Sequence, residues 1–211
     1  MPIISSDCTT ESAEEFYSKI KEADKKNYVM VAGCSHEHGN LVTGHAYTLL
    51  GIQELKKNGK VVEQLIKLRN PWGKEQYNGP WNDKDPQWTD DFKKQAHMTI
   101  ADDGIFYIPL KDFKMAFTTY HTLMYQDWNV SDLRVKGTGK VFKNMSFKSD
   151  VDQDVILTLD FQNSRQIGQG CAMPSILYNM YIDDSGPIVV SGQTGYGQYQ
   201  IKAKAGKTYS L

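Results

Sequence analysis

An imidazole beside a carboxamide makes a proton-transfer device. The amide oxygen accepts from one ring nitrogen and fixes the tautomer, leaving the other nitrogen to take a proton from a nucleophile. His45 and Asn70 are candidates for such a pair. They flank two β-prone runs, Gly44 to Leu55 and Val61 to Leu68, joined through Lys57-Asn58-Gly59-Lys60. Asn-Gly is the pair that a type I′ hairpin turn favours. With the turn centred between Asn58 and Gly59, residue i faces residue 117 − i, so Asn70 lies opposite Tyr47. His45 is two residues from Tyr47 and on the same face, a diagonal separation of about 7–8 Å that long side chains bridge. A bulge would shift the register and undo the pairing. The plainer alternative is a half-buried strand histidine and a turn-forming asparagine.

Several elements must position these two residues. Ser12 followed by Glu15 is a capping-box pattern, and Phe16, Ile20 and Ala23 recur at helical spacing, so a helix runs to Lys25-Lys26-Asn27. Tyr28 to Val31 reads as a short strand. On the return strand of the hairpin, Val61, Glu63, Leu65 and Lys67 share one face and Val62, Gln64, Ile66 and Leu68 the other. Only the second is mostly apolar. From Arg69 to Asp91, Pro71, Pro80, Pro86, Gly73 and Gly79 bar regular structure, while Trp72, Trp81 and Trp88 need something to pack on. Such a stretch is a long ordered loop. Phe92 to Met98 follows as a helix, Asp102-Asp103-Gly104 as a turn, Ile105 to Ile108 as a strand, Leu110 to Phe117 as a short helix and Thr118 to Tyr125 as a strand. Beyond Trp128 the texture changes to short β-prone runs separated by Gly, Asp and Ser, the spacing of an antiparallel sandwich. The boundary falls near Asp127–Val130, dividing the chain into residues 1–128 and 129–211.

Composition removes some functions. The 211 residues include 24 Lys plus Arg against 25 Asp plus Glu, a formal charge of −1, so no global field points to nucleic acid. Mean hydropathy is −0.52, and no apolar run approaches the roughly 18 residues of a spanning helix. The first fifteen residues lack a basic stretch followed by an apolar one, so they do not read as a signal peptide. Cys8, Cys34 and Cys171 are odd in number and widely spaced, which fits a reducing compartment, the cytoplasm, and no disulfide framework.

Three ordered blocks carry a resemblance. Gly44-His45-Ala46-Tyr47, Leu68-Arg69-Asn70-Pro71-Trp72-Gly73 and Asn78-Gly79-Pro80-Trp81-Asn82-Asp83 are similar to the His and Asn blocks of the calpain family of cysteine proteases. Asp102-Asp103-Gly104-Ile105-Phe106-Tyr107 and Asp112-Phe113 resemble the end of the same domain, and the likeness covers about residues 28–125. It implies an α+β fold: the mainly antiparallel His/Asn half of a papain-like protease core with a few helices. A C2-like antiparallel β-sandwich, ending short, would follow it. His45 would be the general base of a Cys-His-Asn triad and Asn70 its orienting partner. Trp72 would cover their bond and act as a wedge between protease subdomains, and Gly44, lacking a side chain, would admit a substrate backbone.

The resemblance has two gaps. A papain-like nucleophile lies well over a hundred residues before the His, whereas 44 residues precede His45 here. Neither Cys8, expected in a loose N-terminus, nor Cys34, expected as a small apolar residue at a strand end, has the family's surroundings. The expectation is a piece of an endopeptidase, inactive until a nucleophile-bearing half joins it, with a protein or peptide substrate. The C-terminus, at Tyr209-Ser210-Leu211, reads as mid-strand, in keeping with such a piece. Calcium is the second gap. The resemblance places acidic ligands at Asp83 and Asp103, but Gln76 and Ile105 stand where the family has carboxylates, and Ca²⁺ wants six to eight oxygens. Calcium and a bare turn both stay open. Asp150-Val151-Asp152-Gln153-Asp154 begins like an EF-hand loop but has Val155 and Phe161 where Gly and Glu are needed, leaving a solvated turn. His36 and His38 read as an exposed loop rather than a metal site. The rival to the protease reading is a non-catalytic module whose Trp-rich loop and sandwich bind a protein or a membrane surface.

Overall fold

Ser12 starts the first helix with a complete capping box. Its hydroxyl accepts from the Glu15 N–H, and the Glu15 carboxylate accepts from the Ser12 N–H, both at 3.1 Å. The helix, α1 (Ala13–Lys25), buries Phe16, Tyr17, Ile20 and Ala23. The computed structural model describes residues 3–125, 127, 129–131, 146–160, 177–182, 188–191 and 196–210. By its contacts the chain divides into two units, Ile3–Gln126 and Asp127–Leu211.

In the first unit, the remaining elements are β1 (Ile3–Asp7), β2 (Val29–Cys34), β3 (His45–Lys57), β4 (Lys60–Arg69), α2 (Asp90–Ala96), β5 (Ile105–Pro109), α3 (Leu110–Ala116) and β6 (Phe117–Leu123). The strands form one antiparallel sheet in the order β1-β6-β2-β3-β4-β5. One face carries Met30, Ala32, Tyr47, Leu49, Ile66, Leu68, Phe106 and Ile108, packed with Phe16 and Ile20 of α1 and Phe113 and Ala116 of α3. Opposite-facing neighbours Leu65 and Tyr107 join Leu55, Trp81, Trp88 and Ala96 in a second cluster. The charge-bearing face of β4 is therefore covered in part as well: Leu65 is buried, Glu63 and Lys67 are half-buried, and Val61 stays exposed. This face supports the long loop through Glu63 Oε2, which accepts from Trp81 Nε1 at 3.3 Å, and it meets β5 through Lys67 Nζ, 5.5 Å from the Tyr107 ring centre. The N-terminus also differs from the expected loose segment. β1 pairs along β6, and the next residue, Cys8, is fully buried with its N–H donated to Thr118 O at 2.7 Å.

Asn58 and Gly59 turn the β3–β4 hairpin with φ of 52° and 76°, both positive as a type I′ turn requires. Two bulges then act in opposition. Lys56 pairs with Val61 but Leu55 with Glu63, leaving Val62 extra on β4; further on, Gly51 pairs with Lys67 but Leu49 with Leu68, leaving Leu50 extra on β3. One inserted residue on each strand restores the original register, and Thr48 faces Arg69 at the end that carries His45 and Asn70. The second bulge depends on glycine. Gly51 has φ of 145°, and a Cβ there would stand 2.5 Å from Asp24 Oδ2 of α1. Gly51→Ala is accordingly expected to cost about 1–3 kcal/mol in chemical denaturation. An unchanged midpoint would contradict this role for the bulge.

In the second unit, β7 (Ser146–Lys148), β9 (Leu177–Ile182), β10 (Ile188–Ser191) and β12 (Thr208–Ser210) form a sheet ordered β10-β9-β12-β7. β8 (Gln153–Asp160) and β11 (Tyr196–Ala203) pair separately, and every described pairing is antiparallel. Phe147, Val155, Leu157, Ile201, Ala203 and Tyr209 form one cluster to which both sheets contribute. The acidic loop before β8 is solvent-exposed, as a solvated turn would be, and one of its carboxylates makes surface hydrogen bonds. Asp152 accepts from the Ala205 N–H at 2.9 Å and from Lys204 Nζ at 2.7 Å. The two units together are α+β, mostly antiparallel sheet with three helices among the described residues. Among those residues no helix is long and apolar enough to cross a membrane.

Candidate active site

His45 opens β3 directly opposite Cys34 of β2. Before it, Gly44 turns the chain with φ of 69°, and a Cβ at that position would meet nothing within 4 Å. Asn70 follows the last residue of β4 and is fully buried. Its backbone is held at both ends: its N–H donates to Gly104 O at 2.8 Å, and its carbonyl accepts from the Gly73 N–H at 3.0 Å. The hairpin thus ends with the imidazole and the carboxamide on adjacent strands, and His45 Nε2 lies 3.0 Å from Asn70 Oδ1.

The neighbours of Asn70 fix which way its amide faces. The Trp72 N–H can only donate, and it points to Oδ1 at 3.1 Å; the Lys74 carbonyl can only accept, and it receives Nδ2 at 3.1 Å. The oxygen is therefore the atom beside His45, so Nε2 must carry the proton and donate it. Nδ1 is left as the basic nitrogen. Above this pair lies the Trp72 indole, its ring centre 4.3 Å from that of His45 with the planes tilted by 38°. Tyr47 meets the imidazole edge-on at 4.9 Å. Trp72 remains 58% exposed, so the indole roofs the imidazole while presenting its own outer face to solvent.

Neither described cysteine offers a thiolate. Burial pushes the Cys8 thiol up to about 12, helped by the nearby Glu11 carboxylate. Burial also raises Cys34, whose Sγ turns to His36 O at 3.6 Å despite its strand position opposite His45. Cys171 lies outside the described residues.

Asp83 is 6% exposed, and its Oδ2 is buried without a hydrogen-bond partner, as is Gln76 Oε1. Asp103 Oδ1 is occupied by the Ile105 N–H at 2.9 Å, and Asp102 Oδ1 by the Glu75 N–H at 3.0 Å. Ile105 supplies no side-chain oxygen. Among the described residues no three His, Cys, Asp or Glu are grouped to hold a metal ion. Ca²⁺ takes six to eight oxygens, and the side-chain oxygens left without a partner in this corner are Asp83 Oδ2 and Gln76 Oε1.

Glu75 belongs to this corner too, although nothing in its sequence surroundings points to it. Burial, reinforced by the Asp83 charge, pushes its carboxyl up to about 7, and burial raises Asp83 too. Because the folded state holds this proton more tightly than the unfolded chain, Glu75 favours folding at low pH. That contribution is lost as pH rises from about 4.5 through about 7. Glu75→Gln is expected to flatten stability across that interval, measured by urea unfolding at several pH values; an unaltered pH profile would contradict the assignment.

His38 is half-buried rather than exposed. Its Nε2 stands 3.5 Å from Oδ1 of the buried Asp112 of α3, without making a hydrogen bond.

A model of the calpain family of cysteine proteases matches residues 3–123. Mouse calpain-9 is 36% identical over 121 residues, covering 51% of this chain and 17% of that protein. The calpain-type cysteine protease DEK1 of Arabidopsis thaliana is 37% identical over 83 residues, covering 38% of this chain and 4% of that protein. For the mouse calpain-1 catalytic subunit the figures are 37% over 81 residues, 37% of this chain and 11% of that protein. The chain thus spans less than a fifth of the length of these relatives.

Proposed function

Since the chain belongs to the calpain family of cysteine proteases, we propose that it supplies the general base and its orienting partner for peptide-bond hydrolysis. The nucleophile comes from a separate, Cys-bearing polypeptide segment. The observation that carries this reading is the His45 Nε2–Asn70 Oδ1 contact at 3.0 Å, with the amide orientation fixed by Trp72 and Lys74.

The chemistry follows from the free Nδ1. It accepts the thiol proton as the sulfur attacks the scissile carbonyl, and the resulting imidazolium is steadied by the Asn70 oxygen on its other side. His45 then returns that proton to the leaving amine as the carbon–nitrogen bond breaks. A water that hydrolyses the thioester gives its proton to the same nitrogen, and the thiol is restored. Trp72 shields the Nε2–H bond from water, which strengthens it. Open space beside Gly44 lets an extended peptide approach the imidazole.

By itself the chain is read as inactive, a reading supported among the described residues by Cys8 and Cys34, both buried with raised thiols. No step in this mechanism passes through calcium. The second unit is read as a β-sandwich, supported by its antiparallel pairings and its shared apolar cluster. The two described cysteines are free thiols, which suits the proposed cytoplasmic setting. The test is to mix the chain with a separately produced Cys-bearing half of a calpain core and a peptide substrate. Cleavage by the mixture and by neither part supports the reading. A mixture that binds without cleaving would favour the rival, a non-catalytic binding module.

A further inference from the structure

Resting on the His45–Asn70 pair just proposed, we infer that Asp102 and Gly104 are positioning residues that set the Asn70 amide, and through it the tautomer of His45. The connection runs through one peptide plane. The Asp102 carboxylate accepts from the Glu75 N–H at 3.0 Å. The Lys74 carbonyl belongs to that same planar peptide unit, and it accepts from Asn70 Nδ2 at 3.1 Å. Holding the N–H end of the plane fixes the direction of its C=O end. That direction turns the Asn70 oxygen toward His45 Nε2, 3.0 Å away. The relay is thus carboxylate, peptide plane, carboxamide, imidazole, with each hydrogen bond polarising the next.

Gly104 acts on the backbone that leads into this plane, at Asn70 and at the Gly73–Lys74 peptide. Its carbonyl accepts the Asn70 N–H at 2.8 Å. It adopts φ of 82°, and a Cβ there would stand 2.6 Å from Asn70 O and 3.2 Å from both Gly73 Cα and Lys74 N. All three are backbone atoms that cannot swing aside. An alanine would therefore displace both Asn70 and the peptide that orients it. Asp102 itself is exposed, so its substitution removes the hydrogen bond without opening a core.

The experiment uses the ¹⁵N-labelled 211-residue chain in the presence of a calcium chelator, reading the His45 ring nitrogens and the exchange of its ring proton with water. The wild type should show one neutral tautomer, protonated at Nε2. Asp102→Ala and Gly104→Ala should each mix the two tautomers and speed ring-proton exchange by about tenfold, the scale of one hydrogen bond. Asp102→Asn keeps an oxygen acceptor but no charge, and it should retain the wild-type signature. Amide spectra verify that each variant is folded. If folded Asp102→Ala or Gly104→Ala keeps the wild-type signature, the inference is overturned. It is overturned equally if Asp102→Asn behaves like Asp102→Ala, since charge and not the hydrogen bond would then be responsible. Asn70→Ala separates the two levels: should it leave His45 unaltered, the underlying His–Asn reading is what fails.

Discussion

His45→Ala should lower cleavage by the chain mixed with a Cys-bearing half by roughly 10²–10⁴-fold, the range of a lost general acid–base group. The size of the effect follows from the geometry. Asn70 and Trp72 occupy one nitrogen and one face of the ring, so Nδ1 is the atom left to move a proton to and from the sulfur. Removing the ring takes away both thiolate formation and protonation of the leaving amine. Its effect on folding should be small by comparison, because the imidazole is only half-buried and its strand pairing is made by the backbone. Initial cleavage rates, measured beside an unfolding curve for the same variant, separate the two contributions. A variant that cleaves at the wild-type rate would contradict the assignment of His45 as base.

Phe113→Ala is the largest stability effect expected. Phe113 of α3 is fully buried, stacked on Phe117 at 4.4 Å and 11° and on Phe16 at 5.0 Å and 26°. It therefore joins α3, β6 and α1 over the sheet. Truncation loses the transfer free energy of the ring and leaves a cavity that flanking rings cannot fill, costing about 3–5 kcal/mol. Against a typical domain stability of about 5–15 kcal/mol, that is enough to unfold a marginal protein. The site would suffer with the scaffold, because β2 aligns with β6 on one side and with the His45 strand on the other. Urea denaturation of the two proteins measures it. A loss under about 1 kcal/mol would mean that this aromatic stack is not the centre of the core.

Local chemistry made much of this fold legible. Ser12 and Glu15 announce α1, Asn58-Gly59 announces the hairpin, and the indoles of residues 72–88 announce an ordered loop. Each signal is carried by residues that determine their own backbone. What escaped depends on partners distant in the chain. The two bulges are invisible in β3 and β4 because each strand looks regular alone; they show only when the strands are paired. Their cancellation is why the simple hairpin register still puts His45 beside Asn70. Likewise, the mixed face of β4 looks half-polar because its cover, Trp81 and Trp88, lies many residues downstream. In the site, His45 and Asn70 are legible from residue type and spacing. Glu75 and Asp102 are not, because one works through its burial and the other through a backbone N–H, and neither leaves a pattern in the sequence.

The central claim is tested most directly by the position of one proton. Nitrogen-15 spectra of the intact chain, recorded where His45 is neutral, report whether Nδ1 or Nε2 is protonated. The expected state is Nε2–H, slow to exchange because it is donated to a buried amide oxygen under an indole. A proton on Nδ1 would contradict the claim, since the nitrogen meant to accept from the sulfur would then be already filled.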